Sequence, residues 1–129
     1  RKLIHARFPV QGGRAVVQGD FAIAGVAGTG ARIRLDFLDP GGTQTPHLLP
    51  TGNATDTLDI PGHGPLRATL VDAANPAVFI DAADLGLTGG ELPEEIEARA
   101  DVLALLDRIR RIAGVAMGLG ATPAQVGLA

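Results

Sequence analysis

Leu70-Val71-Asp72-Ala73-Ala74-Asn75-Pro76-Ala77-Val78-Phe79-Ile80 is an apolar strand that runs into a break of small residues and out again into apolar ones. Two other stretches share that arrangement: Gly25-Val26-Ala27-Gly28-Thr29-Gly30-Ala31 and Leu48-Leu49-Pro50-Thr51-Gly52-Asn53. Gly, Asn and Pro punctuate strands because they tolerate the backbone angles of tight turns. Three such loops beside three apolar strands describe a pocket lined by backbone.

Outward from these stretches, 14 of the 18 glycines and seven of the nine prolines fall within residues 1–92 and cut them into pieces that favour short strands over long helices. Residues 3–10 alternate roughly and end at Pro9-Val10-Gln11-Gly12-Gly13, which predicts a hairpin into residues 14–18. Over residues 31–38, Ile33, Leu35 and Phe37 alternate with Arg32, Arg34 and Asp36, which predicts one face on a core and one in water. Residues 55–60 and 66–71 read as strands around Pro61-Gly62-His63-Gly64-Pro65, whose composition permits only a turn. Asn75-Pro76 is predicted to interrupt the sheet before a strand over 77–82, since proline lacks a ladder donor and restricts the residue before it.

After Gly89-Gly90 the period changes. Ile96, Ala100, Leu103, Leu106, Ile109, Ala113 and Met117 recur every three or four residues, the mark of one long amphipathic helix over 93–118. Pro93 suits its first turn, Glu94, Glu95 and Glu97 match its positive end, and Arg108, Arg110 and Arg111 match its negative end. Glu95 with Arg99 and Asp107 with Arg111 have ion-pair spacing, and Gly118 and Gly120 stop the helix. Residues 121–129 show no strong pattern, which predicts a poorly ordered tail. The fold class is α+β, strands first and helix after.

Composition narrows the function. A chain of 129 residues holds a single core, and with 46% hydrophobic but only 3% aromatic residues that core rests on Leu, Ile, Val, Ala and four Phe. A net charge of −3, with arginines scattered and no interleaved aromatics, argues against a nucleic-acid partner. No apolar run approaches the roughly 20 residues that span a bilayer, and no signal peptide opens the chain, so a cytoplasmic location and no membrane partner are expected. With no Cys and no Ser, the segment has no thiol or serine nucleophile, and Lys2 is its only lysine. Few groups here can cycle a proton near neutral pH.

Several constellations carry two readings. Gly25-Val26-Ala27-Gly28-Thr29-Gly30 lacks the Gly-Lys-Ser/Thr of a phosphate loop and precedes a strand, which excludes nucleotide binding. Its glycines either allow positive φ in a sharp turn or present bare N–H groups to an anion, with Thr29 as the hydroxyl donor. Thr51 and Asn53 either form a surface loop or line the site. Asn75, at a strand break, either caps its own turn or offers an amide donor and acceptor to a carboxylate or carbonyl. His5, His47 and His63 lack metal-ligand spacing, and Asp36 and Asp39 bracket an Asp-Pro-Gly turn. No metal or cofactor is expected.

Together with Leu35-Asp36-Phe37-Leu38-Asp39-Pro40-Gly41-Gly42-Thr43, these ordered blocks resemble the family of 2-methylaconitate isomerases and 4-oxalomesaconate tautomerases, from Lys2 to about Gly120. The block around Asn75 is also similar to the Gly-Asn-Pro-His block of diaminopimelate epimerases, with Ala74 and Ala77 standing at the Gly and His positions. The resemblance implies a diaminopimelate-epimerase-like lobe, with short antiparallel strands forming a partial β-barrel around or against the long helix. It implies a two-lobed parent far longer than this chain, whose acid/base cysteine in a Cys-Gly-Asn context lies upstream. On that reading the chain is an internal fragment: residues 1–12 a crossover strand from the first lobe, 13–92 the β-rich part of the second, 93–118 the helix and 119–129 a tail.

The function so implied is cofactor-independent isomerisation of small unsaturated di- or tricarboxylic acids by a 1,3-allylic proton shift. Gly28, Thr29, Gly30, Asn75, Thr51 and Asn53 would bind the substrate, and the catalytic groups would come from elsewhere. The fragment alone is expected to be inactive. Its partners would be the acid and the remainder of the enzyme, and open sheet edges would favour self-association. An amino-acid epimerase or racemase of the same fold and a non-catalytic binding module are the alternatives.

Overall fold

The computed structural model describes residues 3–127, so Arg1 and Lys2, where the expected crossover strand begins, lie outside the described residues. The chain divides into two compact units, Arg1–Asp39 and Pro40–Ala129. Its strands are β1 (Leu3–Arg7), β2 (Val10–Gln11), β3 (Arg14–Ala15), β4 (Arg34–Leu38), β5 (Asp56–Ile60), β6 (Gly64–Ala73) and β7 (Asn75–Phe79), and its α-helices are α1 (Pro93–Glu97) and α2 (Ala100–Ala116). The α+β class holds. The described strands form three separate antiparallel ladders, β1-β4, β2-β3 and β5-β6-β7, and none closes into a barrel.

In the first unit the expected hairpin from residues 3–10 into 14–18 shrinks to β2 and β3, turned by Gly12 and Gly13 at φ 58 and 77. Two successive positive φ angles make the primed turn whose twist matches a hairpin. β1 pairs instead with β4, from Leu3 opposite Leu38 to Arg7 opposite Arg34. The alternation in β4 is real, but its apolar side is not buried: Ile33, Leu35 and Phe37 are 63%, 54% and 52% exposed. A two-stranded ribbon has no layer of its own to cover them.

The second unit holds the core. In β6 the inward positions are Leu66, Ala68, Leu70 and Asp72, all buried. Leu58 and Ile60 of β5 flank them, and Ile109, Ala113 and Met117 of α2 close the other side. Period two on the sheet meets period 3.6 on the helix, so each buries its apolar face on the other. β7 corrects the expected break: Asn75 and Pro76 lie within the strand, paired with Ala73 and Asp72. Proline fits because β7 is an edge strand, where a missing donor costs no ladder bond.

The predicted helix over 93–118 is two helices. Pro93 sits in the first turn of α1, and the Leu92 N–H donates to Glu95 Oε2 at 2.7 Å, so Glu95 caps the start of the helix instead of pairing with Arg99. The chain leaves helical geometry at Arg99 (φ −101, ψ 83), and α2 begins afresh. At the start of α2 the buried position is Val102 while Leu103 is 42% exposed, and further along Ile109, Ala113 and Met117 are buried as the spacing predicts. Asp107 pairs with Arg111 at 2.7 Å as expected and also with Arg110 at 2.8 Å. Among the described residues no helix is long and apolar enough to cross a membrane.

Residues 121–127 are not the loose tail their composition suggests. A turn of 3-10 helix over Pro123–Gln125 leads to buried Val126, and Arg110 donates from its guanidinium to the Gly127 carbonyl. Val126 fits where α2 has no side chain: a Cβ on Gly114 would stand 2.5 Å from Val126 Cγ1. Gly114→Ala therefore gains about 1 kcal/mol of helix propensity but costs about 1–3 kcal/mol by overpacking a stiff β-branched neighbour. Urea denaturation should show Gly114→Ala and Val126→Ala together costing less stability than the sum of the single changes.

Candidate functional site

Asp72 takes the fourth inward position of β6 and is 0% exposed. A lone carboxylate buried there would be prohibitively costly, so the chain surrounds it with donors. Thr43 Oγ1 donates to its Oδ1. The N–H groups of Gln44 and Thr45 donate to its Oδ2, each at 2.7 Å, and Thr45 Oγ1 adds a bond at 3.0 Å. Burial pushes the Asp72 carboxyl up, but the bonds from Thr43, Thr45 and Gln44 outweigh it and hold the group down at about 2. At neutral pH it is a fixed anion.

The segment it grips, loop 40–48, is also tied by its backbone. Gly42 N–H donates to the Asp72 carbonyl, Asp72 N–H to the Leu48 carbonyl and Ala74 N–H to the Pro40 carbonyl, all at 2.9 Å. Gly42 lies at φ 68 with its missing Cβ 2.9 Å from the Pro46 carbonyl oxygen, so only glycine makes this bend. The loop ends against the turn between β6 and β7. There Ala74 adopts φ 68, a left-handed conformation rare for a residue with a Cβ, at the position where the epimerase pattern carries Gly.

Asn75 follows that turn, exposed, and its side chain makes no hydrogen bond among the described residues. Pairing with Ala73 places it with Ala77 and Phe79 on the sheet face away from α2. The opposite face borders a cleft of about 280 Å³ between β7 and α2, lined by Gln44, Pro76, Val78, Arg110, Met117 and Leu119 among others. Asn75 thus borders the outer face, and its neighbour Pro76 borders the cleft.

Thr51 and Asn53 come together on a single carboxylate. Thr51 Oγ1 donates to Asp56 Oδ2 at 2.7 Å and Asn53 Nδ2 to Asp56 Oδ1 at 2.9 Å, around Gly52 at φ 81. Their polar atoms close the loop that leads into β5. In the first unit, Gly25 and Gly28 lie at φ 78 and 85 with open space where a side chain would be. Gly30 exchanges both backbone bonds with Phe21 at 3.1 Å, so its N–H is already used, whereas Gly28 and Thr29 form the bend that precedes it. Arg32 lies over the Phe21 ring at 5.2 Å and stiffens the base of this loop.

His5, His47 and His63 are all exposed, and the described residues contain no group of His, Cys, Asp or Glu able to hold a metal ion. The residue that sequence reasoning missed is Asp72, with its partners Thr43 and Thr45. A signal existed: the inward series 66, 68, 70 continues onto a carboxylate, and a charge at a core position needs donors from somewhere. Nothing in the spacing says that they lie 27–29 residues upstream.

The sequence profile of the family described as PrpF protein matches residues 1–128. The chain belongs to the PrpF protein family. Over 121 residues it is 43% identical to a 3-methylitaconate isomerase of Eubacterium barkeri, covering 94% of this chain and 32% of that protein. It is 36% identical over 121 residues to a 2-methyl-aconitate isomerase of Shewanella oneidensis, covering 92% and 30%. With a (4E)-oxalomesaconate Delta-isomerase of Novosphingobium it shares 40% over 109 residues, covering 84% and 29%. The crystal structure of a methylitaconate-delta-isomerase superposes with a TM-score of 0.88 at 42% identity, covering 96% of this chain and 32% of the other. The chain spans about a third of the length of these relatives.

For this PrpF-family chain the Asp72 geometry has a consequence in acid. Its carboxyl falls from the ordinary 3.8 to about 2 on folding, and that of Glu91, held by the Thr88 and Gly89 N–H groups, falls from 4.5 to about 2. Between those limits the unfolded chain binds more protons than the folded one, so stability rises with pH there and is lost on acidification. The urea midpoint should stay flat above about pH 5 and drop between about pH 4.5 and 2. Asp72→Asn, which cannot titrate, should flatten part of that drop.

Proposed function

We propose that this chain is the part of a cofactor-independent, cytoplasmic isomerase that anchors a small unsaturated di- or tricarboxylic acid. The observation that carries the reading is chemical: relatives from three organisms bear the names of methylitaconate, methylaconitate and oxalomesaconate isomerases. What those acids share is a carbon–carbon double bond beside carboxylates. Isomerising them without redox change requires one proton to leave carbon, the double bond to migrate by one position and one proton to return at the far carbon. The anion between the two steps has enolate character, and fixed hydrogen-bond donors stabilise it.

This chain has no cysteine and no serine, so in this reading the acid and base belong to the rest of the protein, and what this chain offers is binding. Asn75 suits that role, because its amide is exposed and uncommitted at the end of a turn held from outside. The Gly28-Thr29 bend is proposed as a second anchor through backbone N–H and hydroxyl donors, with Gly30 bracing it through Phe21. Thr51 and Asn53 support through Asp56 the loop that they were expected to line. The partial barrel expected of this lobe would be completed by strands from outside residues 1–129, laid along the open edges of β5 and β7.

The test uses the full-length protein, incubated with aconitate-type and oxalomesaconate-type acids in deuterated water. Deuterium incorporation at an allylic carbon, together with migration of the double bond, is the expected result. No incorporation with any such acid contradicts the reading. In the same protein Asn75→Ala should raise KM about 10- to 100-fold with little change in folding, the loss expected for one hydrogen bond to a carboxylate.

A further inference from the structure

We propose that Asp72 is a positioning residue for Asn75: its carboxylate clamps loop 40–48, and that loop holds the turn that presents the Asn75 amide. The inference rests on Asn75 touching substrate and goes beyond it by assigning the buried anion a role in binding. An ordinary core would continue Leu66, Ala68 and Leu70 with another apolar residue, and well-packed apolar groups commonly serve stability as well as a buried charge does. What a carboxylate adds is directionality. Its two oxygens accept four hydrogen bonds, all from Thr43, Gln44 and Thr45, the Thr45 hydroxyl sharing its proton with the His47 carbonyl, so the loop is held against β6 from several directions at once.

That placement is passed on to the turn. The Pro40 carbonyl accepts from Ala74 N–H at 2.9 Å, and Gly41 bridges Ala73, so both residues that precede Asn75 are fixed by the clamped loop. Ala74 needs such restraint, because its φ of 68 is unfavourable for alanine and a free turn would relax out of it. Asn75 itself has no bond through its side chain to set its position among the described residues. Its aim is inherited from the backbone, and the backbone is held through Asp72.

The experiment is a double-mutant cycle in full-length enzyme with the acid that it isomerises. Asp72→Asn should raise KM nearly as much as Asn75→Ala, with kcat within about threefold of the parent. Asp72→Asn combined with Asn75→Ala should be no worse in KM than Asn75→Ala alone, within about twofold, because an anchor already removed cannot be misplaced. Thr43→Val, which removes one of the four bonds at an exposed position, should raise KM about threefold in the parent and not at all beside Asn75→Ala, and Thr43→Ser should restore it. This milder pair decides the matter if Asp72→Asn does not fold. Effects that multiply in the double variants overturn the positioning role while leaving Asn75 as a substrate anchor. An Asn75→Ala enzyme with unchanged KM overturns that anchor and the positioning role together.

Discussion

A carboxylate shut away from water at the end of a core strand must find its donors within the protein, and here those donors set the path of everything around it. Asp72 continues the inward row of Leu66, Ala68 and Leu70, so it cannot swing out to solvent without dragging β6 with it. Charge burial is tolerated only with near-complete hydrogen bonding, and loop 40–48 is folded to supply it. The bends at Gly41 and Gly42 follow from that demand. At both positions a side chain would strike the loop itself, Leu48 at one and Pro46 at the other.

Below Asp72 the inward face of the same sheet meets α2 through dispersion and burial. No tryptophan or tyrosine is available, so the core is assembled from medium and small side chains, and its fit depends on shape. Gly114 shows how that works: the helix omits a side chain so that Val126 can enter, and the segment after α2 is fastened to the helix by Val126 and by Arg110 on the Gly127 carbonyl. Arg108 ties the same helix to the Pro61 carbonyl at the turn between β5 and β6. Polar contacts at the rim thus fix the register in which a small-residue core can pack.

How much of this was legible in the sequence depended on whether the deciding contact was local. The turn that follows Ile60, the start of the helical region at Pro93 and the stop at Gly118 follow from neighbouring residues and are found where expected, but Gly64 and Pro65, read as part of that turn, are already paired within β6, opposite Ile60 and Asp59. The choice of β4 as partner for β1 is a contact between distant residues, which alternation cannot specify. The break at Arg99 was hidden because Ile96 and Ala100 keep helical spacing across it, while the capping by Glu95 that ends up dominating is visible only in three dimensions. Pro76 was misjudged for a related reason: whether a proline disrupts a strand depends on whether that strand has a neighbour on its donor side. For the site, Asn75 could be singled out as an amide at a turn, but its support by Asp72 runs through residues nearly thirty positions upstream.

The proposed division of labour rests on composition and geometry together. A proton shuttle at carbon needs groups whose charge can change near neutral pH, and the two carboxyls that this chain holds most tightly, Asp72 and Glu91, are pinned as anions far below that range. What such anions can do is hold backbone N–H groups still. A site that must recognise carboxylates yet leave room for a moving proton gains from this arrangement: the binding donors are set by the fold in advance, so little reorganisation remains when negative charge spreads along the substrate. In the proposed function, rigid recognition on this chain and mobile protons supplied by other segments are complementary demands. The first can be met by a segment with no reactive side chain at all, provided that its turns are locked as tightly as the one before Asn75.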